Sequence, residues 1–188
     1  MAMVTEVKTA SFDALVRVVV ASSVSNSWNA AVGEWTVIEL EEDPAGRGVC
    51  ICGQTGLVKL FTIRNDQNDS LLFPIGSVCV NQFGRTDLDR QVNLFGDLLT
   101  LRNAIRAQED VTLTSSYFSR AVLDYLYTEG AFTPDQWNRG EGENDYDFLL
   151  KMFNKRNKDS LSRPQQWKIT MLLQQKVLPF VLADQRLK

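Results

Sequence analysis

The chain has 188 residues, 44% hydrophobic and 23% charged, with 20 basic and 23 acidic side chains, three cysteines and no histidine. This balance is that of an ordinary globular protein and excludes a disordered or fibrous chain, and the length suits one medium domain or a small module joined to a second. The missing histidine excludes Ser-His-Asp and Cys-His nucleophiles, histidine general bases and histidine-ligated catalytic zinc.

The apolar run 14–21 is interrupted by Arg17 and is far shorter than the roughly 20 residues of a membrane span. No membrane helix is expected. Nor does the start show the basic, apolar and small-residue succession of a secretory signal, so the expected compartment is the cytoplasm. Three cysteines are too few for a disulfide framework in a chain of this size and suit a reducing environment, as free thiols or metal ligands. Charge is uneven along the sequence. Residues 151–188 hold nine basic and two acidic groups, a balance of +7, which leaves −10 for residues 1–150. Such asymmetry points to an anionic partner for the C-terminal part, or to its docking on the acidic remainder.

In chain order, Phe12, Leu15, Val16 and Val19 recur at helical spacing behind Ser11 as a cap, and Trp28, Ala31, Val32 and Trp35 do the same. Two short helices are predicted, with a strand as the alternative around the β-branched run 18–20. Residues 36–40 alternate as a strand and 41–48 read as a turn. Strands over 57–64 and 71–74 flank the turn formers Asn65, Asp66, Gln67, Asn68 and Asp69, giving a hairpin. Gly76 and Ser77 cap a short helical turn over 78–83 that carries Cys79.

Four helices are predicted beyond this. Thr86 and Asp89 open the first, with Leu88, Val92, Phe95, Leu99 and Ile105 as its stripe and Gly96 as a weak point. Thr114 or Ser115 opens the second and Gly130 closes it. A loop over 138–144 leads to the third, which buries Phe148, Leu149, Met152 and Phe153. Ser162 and Gln165 cap the fourth, which tolerates Pro164 in its first turn and ends at Pro179. The expected class is α+β: a small, treble-clef-like β-hairpin module packed with a predominantly α-helical domain. Its expected parts are a helical segment (1–36), a cysteine-containing hairpin module (37–85) and a helical domain with a basic end (86–188).

Cys50 and Cys52, followed by Gly53, present two sulfurs from one tight turn, and the hairpin can return Cys79 to them from a helix start. The order of knuckle, hairpin and helix resembles a treble-clef zinc finger. Structural zinc takes four Cys or His ligands, and this chain supplies three. Asp66 or Asp69, a water, or a cysteine of another copy would complete the set. Gln54 and Gln82 sit where a fourth ligand would be convenient, but an amide is a poor zinc ligand. Three readings stand at this point: one structural zinc ion on Cys50, Cys52 and Cys79, a metal-free relic with the thiols as small buried hydrophobes, or a redox thiol.

The run CICGQTGLVKLFTIRNDQNDSLLFPIGSVCVNQF resembles a pattern in uncharacterised proteins of phages and other bacterial mobile elements. There a C-x-C-G turn precedes an I-x-N strand and an IGS-x-C helix start. The matching residues are Cys50, Cys52, Gly53, Ile63, Asn65, Ile75, Gly76, Ser77, Cys79, Val80 and Phe83. The later FLLKMFNKRNKDSLSRPQQWKI is similar to the helical endings of such proteins. Some members that bind zinc carry His where this chain has Gln54. The resemblance implies a mobile-element setting inside a bacterial host cell, not an activity.

No Walker loop, dinucleotide-binding loop or zinc-deaminase Pro-Cys-x-x-Cys element is present. The acid pairs Asp87/Asp89 and Asp145/Asp147 read as helix N-terminal residues, and a metal-dependent nuclease is the weakest reading. A non-catalytic binding role is expected, through contact with a host or defence protein complex as an anti-defence, anti-CRISPR-type inhibitor. The alternative is DNA or RNA binding through Lys151, Lys155, Arg156, Lys158, Arg163 and Lys168, with Trp167 to stack on a base.

Overall fold

The computed structural model describes residues 2–188, with side chains from residue 10 onward. The chain is α+β and forms two compact units, residues 1–95 with 186–188, and residues 96–185.

In the first unit, α1 (Ala2–Ala21) and α2 (Trp28–Ala31) precede β1 (Trp35–Glu42). The first helix starts earlier than its apolar spacing predicts, so Ser11 lies inside it rather than at its cap. The run 18–20 is helical, because Leu15 and Val19, one turn apart, are buried together. Trp35 belongs to the strand rather than to a helix. The strand also runs further than the alternation indicates, through Glu42. It pairs antiparallel with β4 (Lys59–Asn65), which pairs with β5 (Leu71–Ile75). A register shift between Val37 and Glu39 resets the side-chain parity, which is why Val37 and Leu40 both face the core. There the Val37 N–H donates to Gln91 Oε1 at 3.0 Å. The outer edge of β1 is occupied by the last residues of the chain, where Leu40 N–H donates to Arg186 O (2.8 Å) and Lys188 N–H to Leu40 O (2.9 Å).

Glu34 ties this unit together. Its side chain is buried and accepts hydrogen bonds from Val24 N, Ser25 N and Asn65 Nδ2 at 2.7–2.8 Å. Asn65 Oδ1 in turn accepts from Gln67 N and Asn68 N, fixing the β4–β5 turn. Burial opposes the Glu34 charge, but the bonds from Ser25, Asn65 and Val24 outweigh it and hold the carboxyl down at about 2. A depressed carboxyl stabilises the fold above its ordinary value of 4.5 and loses that contribution as pH falls through about 2.

The second unit continues the helix α4 (Thr86–Arg106) from Gly96 and adds α5 (Arg120–Thr128), α6 (Glu143–Asn154) and α7 (Arg163–Leu172). A π-helical turn (Leu173–Val177) then joins α7 to α8 (Leu178–Ala183). The α5 cap is Ser119, not Thr114 or Ser115: Thr114 starts a single turn that closes at Phe118, and Ser119 Oγ then accepts from Val122 N at 3.2 Å. Pro179 does not end the last helix. The π turn widens the ladder just before it, which accommodates a residue without an N–H. At the start of α6 a Cβ on Gly142 would lie 2.0 Å from the Phe132 carbonyl oxygen, so no larger residue fits there.

Asp145, 1% exposed, is a buried acid of this unit. It meets Lys176 at 2.7 Å, Lys168 at 3.3 Å and Asn138 Nδ2 at 2.9 Å, and Lys176 also reaches Asp135 at 2.7 Å.

Two outcomes follow from these buried carboxylates. Glu34→Gln should lower stability at neutral pH and remove the extra decline that the wild type shows between pH 4.5 and about 2; superimposable denaturation midpoints across that range would contradict it. Asp145→Ala leaves two lysines without their buried partner and should cost about 3–5 kcal/mol in chemical denaturation.

Candidate metal centre

Two short strands, β2 (Gly48–Val49) and β3 (Thr55–Leu57), frame the turn that carries Cys50 and Cys52. Within it Gly53 N–H donates to Cys50 O at 2.7 Å and Cys50 N–H to Gln54 O at 2.8 Å. The turn closes because Gly53 takes φ +87°, a left-handed conformation that glycine adopts without steric cost. Ile51 N–H donates to Pro74 O at 2.9 Å, anchoring the turn on β5. That strand leads through Gly76 into α3 (Ser77–Asn81), which presents Cys79.

All three cysteines are buried, 3%, 5% and 7% exposed for Cys50, Cys52 and Cys79. Their sulfurs lie within 4.8 Å of one another, with Cys50–Cys79 at 3.6 Å and Cys79–Cys52 at 3.3 Å. A tetrahedral ion ~2.3 Å from each sulfur would space them ~3.8 Å apart, so the trio is close to ligand geometry and well beyond the ~2.05 Å of a disulfide. The Gly76 N–H points at Cys50 Sγ from 3.4 Å. Contact with Cys79 pulls the Cys50 thiol down to about 5, more than burial opposes it, and the amides of Cys52 and Gly76 act in the same direction. Cys79 moves the opposite way, raised by its contact with Cys50 and by burial. Without a cation the cluster must keep protons to limit sulfur–sulfur repulsion. A soft metal ion would replace them.

The fourth ligand does not come from the hairpin turn. Among the described residues no carboxylate joins the three sulfurs within 4.8 Å. Asp66 is engaged instead with Thr36 Oγ1 and Arg64, and Asp69 lies in the same turn, where it takes φ +58°. Gln54 and Gln82 do border the cluster. Both are exposed and line a cavity of about 550 Å³ whose wall includes Cys52 and Cys79.

The basic residues expected to contact nucleic acid divide into two sets. Lys158 Nζ donates to the carbonyls of Met152 and Phe153, both at 2.7 Å, closing the end of α6. Lys168 lies 4.7 Å from the Phe148 ring centroid and pairs with Asp145. Lys151, Lys155, Arg156 and Arg163 have no side-chain partner among the described residues, and Trp167 is 65% exposed. Of the paired acids, Asp87 is bound to Arg85 and Asp145 is buried with its lysines.

Sequence reasoning overlooked Trp137, 79% exposed, and the Asp145 network. A signal for the latter was present: Asp145 precedes Leu149 by four positions and Met152 by seven, which places the acid on the apolar face of α6. Comparison with protein-family models, with curated proteins and with solved structures finds no match.

Titration of the reduced chain with Co²⁺ should produce thiolate-to-metal charge-transfer absorption with one ion per chain and release of protons, weakening as pH falls. Cys79→Ser should abolish it; a titration without charge transfer in the wild type would show that the trio is not a ligand set.

Proposed function

We propose that the protein is a non-catalytic binding protein of a phage or other mobile element, which engages a host or defence macromolecular complex in the bacterial cytoplasm as an anti-defence factor. One zinc ion on Cys50, Cys52 and Cys79 serves as its staple. Zinc suits a thiolate set because it has no redox chemistry and no geometric demand from d electrons. The mobile-element setting rests on the resemblance of the cysteine module and of the helical ending, of which only the module carries a specific motif.

The observation that carries the binding role is the exposure of Trp137 and Trp167, 79% and 65%, in one unit. Tryptophan is among the residues most enriched at energetic centres of protein interfaces, which makes these two side chains the candidate anchors. The unpartnered Lys151, Lys155, Arg156 and Arg163 support a second reading, in which they contact phosphates and Trp167 stacks on a base.

One comparison separates the two. On the protein reading, the immobilised chain captures a defined complex from bacterial lysate treated with nuclease, and Trp137→Ala/Trp167→Ala lowers that capture about tenfold or more. On the nucleic-acid reading, anisotropy shows salt-sensitive binding to DNA or RNA that Lys155→Glu/Arg156→Glu removes. Failure to capture any complex would sink the first, and capture that survives loss of both tryptophans would remove the observation that carries it.

A further inference from the structure

We propose that the ion on Cys50, Cys52 and Cys79 keeps its fourth coordination position for a neutral donor from solvent, water at rest and exchangeable for small neutral nitrogen ligands. This rests on the metal reading above and adds to it. The cysteines are the three ligands the fold brings together, and no carboxylate of the described residues joins them. Closed structural zinc sites use four protein ligands, whereas three-ligand sites hold a solvent molecule in the fourth place.

The space for such a ligand is present. The cavity of about 550 Å³ is walled by Cys52 and Cys79 themselves, with Ser11, Phe12, Gln54 and Gln82 around them. A second cavity, about 370 Å³, reaches Cys50 and Cys79 past Gly76. Gln54, Thr55, Val78 and Gln82 are exposed at the rims, so solvent has a route to the sulfurs.

Charge selects the kind of ligand. Three thiolates on a divalent ion leave one net negative charge, and a fourth thiolate would leave two. Among the described residues no charged side chain lines the larger cavity, so none of them offsets a second negative charge close to buried sulfurs. Water or a neutral nitrogen donor adds none. The side-chain amides of Gln54 and Gln82 are weak ligands for a thiophilic ion, and their place is at the cavity wall rather than on the metal.

The test uses the full chain loaded with Co²⁺ in thiol-free buffer, examined by X-ray absorption and by visible absorption during titration with imidazole. The expected first shell is three sulfurs and one oxygen or nitrogen, unchanged in Gln54→Ala/Gln82→Ala, with a saturable shift of the cobalt bands as imidazole replaces water. A shell of four sulfurs, which requires a second copy, would overturn the proposal and leave the metal reading intact. So would loss of the light atom in the glutamine variant, or cobalt bands indifferent to imidazole. A chain that takes up no cobalt at all would overturn both.

Discussion

Three thiols held with separations as short as 3.3 and 3.6 Å form an assembly that must be neutralised, by protons or by a cation. Much of the first unit is arranged to create that assembly. Gly53 closes the knuckle, Ile51 fastens it to Pro74, the β4–β5 hairpin reverses the chain, and Gly76 delivers both an amide to Cys50 and the start of the helix bearing Cys79. Glu34 and Asn65 secure the far end of the same hairpin. The unit also has an aliphatic and aromatic core of its own around Trp35, Phe61, Ile63 and Ile75, so an ion at the cysteines would fix one end of a fold that packing supports elsewhere.

Folding redistributes the charge that looks polarised along the sequence. The first unit contains eleven acidic and nine basic residues and the second twelve and eleven, net charges of −2 and −1. Seven of the nine basic residues of the C-terminal stretch share a unit with all the acids from Asp97 to Asp147, and Lys168 and Lys176 meet two of them directly, at Asp145 and Asp135. Lys158 is spent on helix carbonyls. What remains for a partner is a smaller set, Lys151, Lys155, Arg156, Arg163 and Trp167, together with Trp137.

The α+β class, the hairpin, the capping pair at Ser162 and Gln165, and the meeting of the three cysteines were legible because each is encoded locally, by turn formers, caps and short spacings. The features that escaped depend on tertiary context. The parity change in β1 needs a bulge that no residue type announces. The π turn before Pro179 depends on how α7 and α8 pack. Thr114 and Ser119 are both competent caps, and the extended backbone at Ser119 decides between them. For the site itself, spacing located the sulfurs, but a turn rich in aspartate and asparagine looked equally able to supply a carboxylate. Its distance from the knuckle, set by the length of the hairpin, is what removes it.

If the three sulfurs hold a metal ion, the native protein carries it as it leaves the cell. Native mass spectrometry of the full chain, purified without chelators from its expressing cells, tests this most directly. The expected result is a mass increment of one zinc ion per chain, absent from Cys79→Ser and lost together with thermal stability when a chelator is added. A metal-free wild-type chain whose melting is indifferent to chelator and to zinc would contradict it and leave the three cysteines as ordinary core.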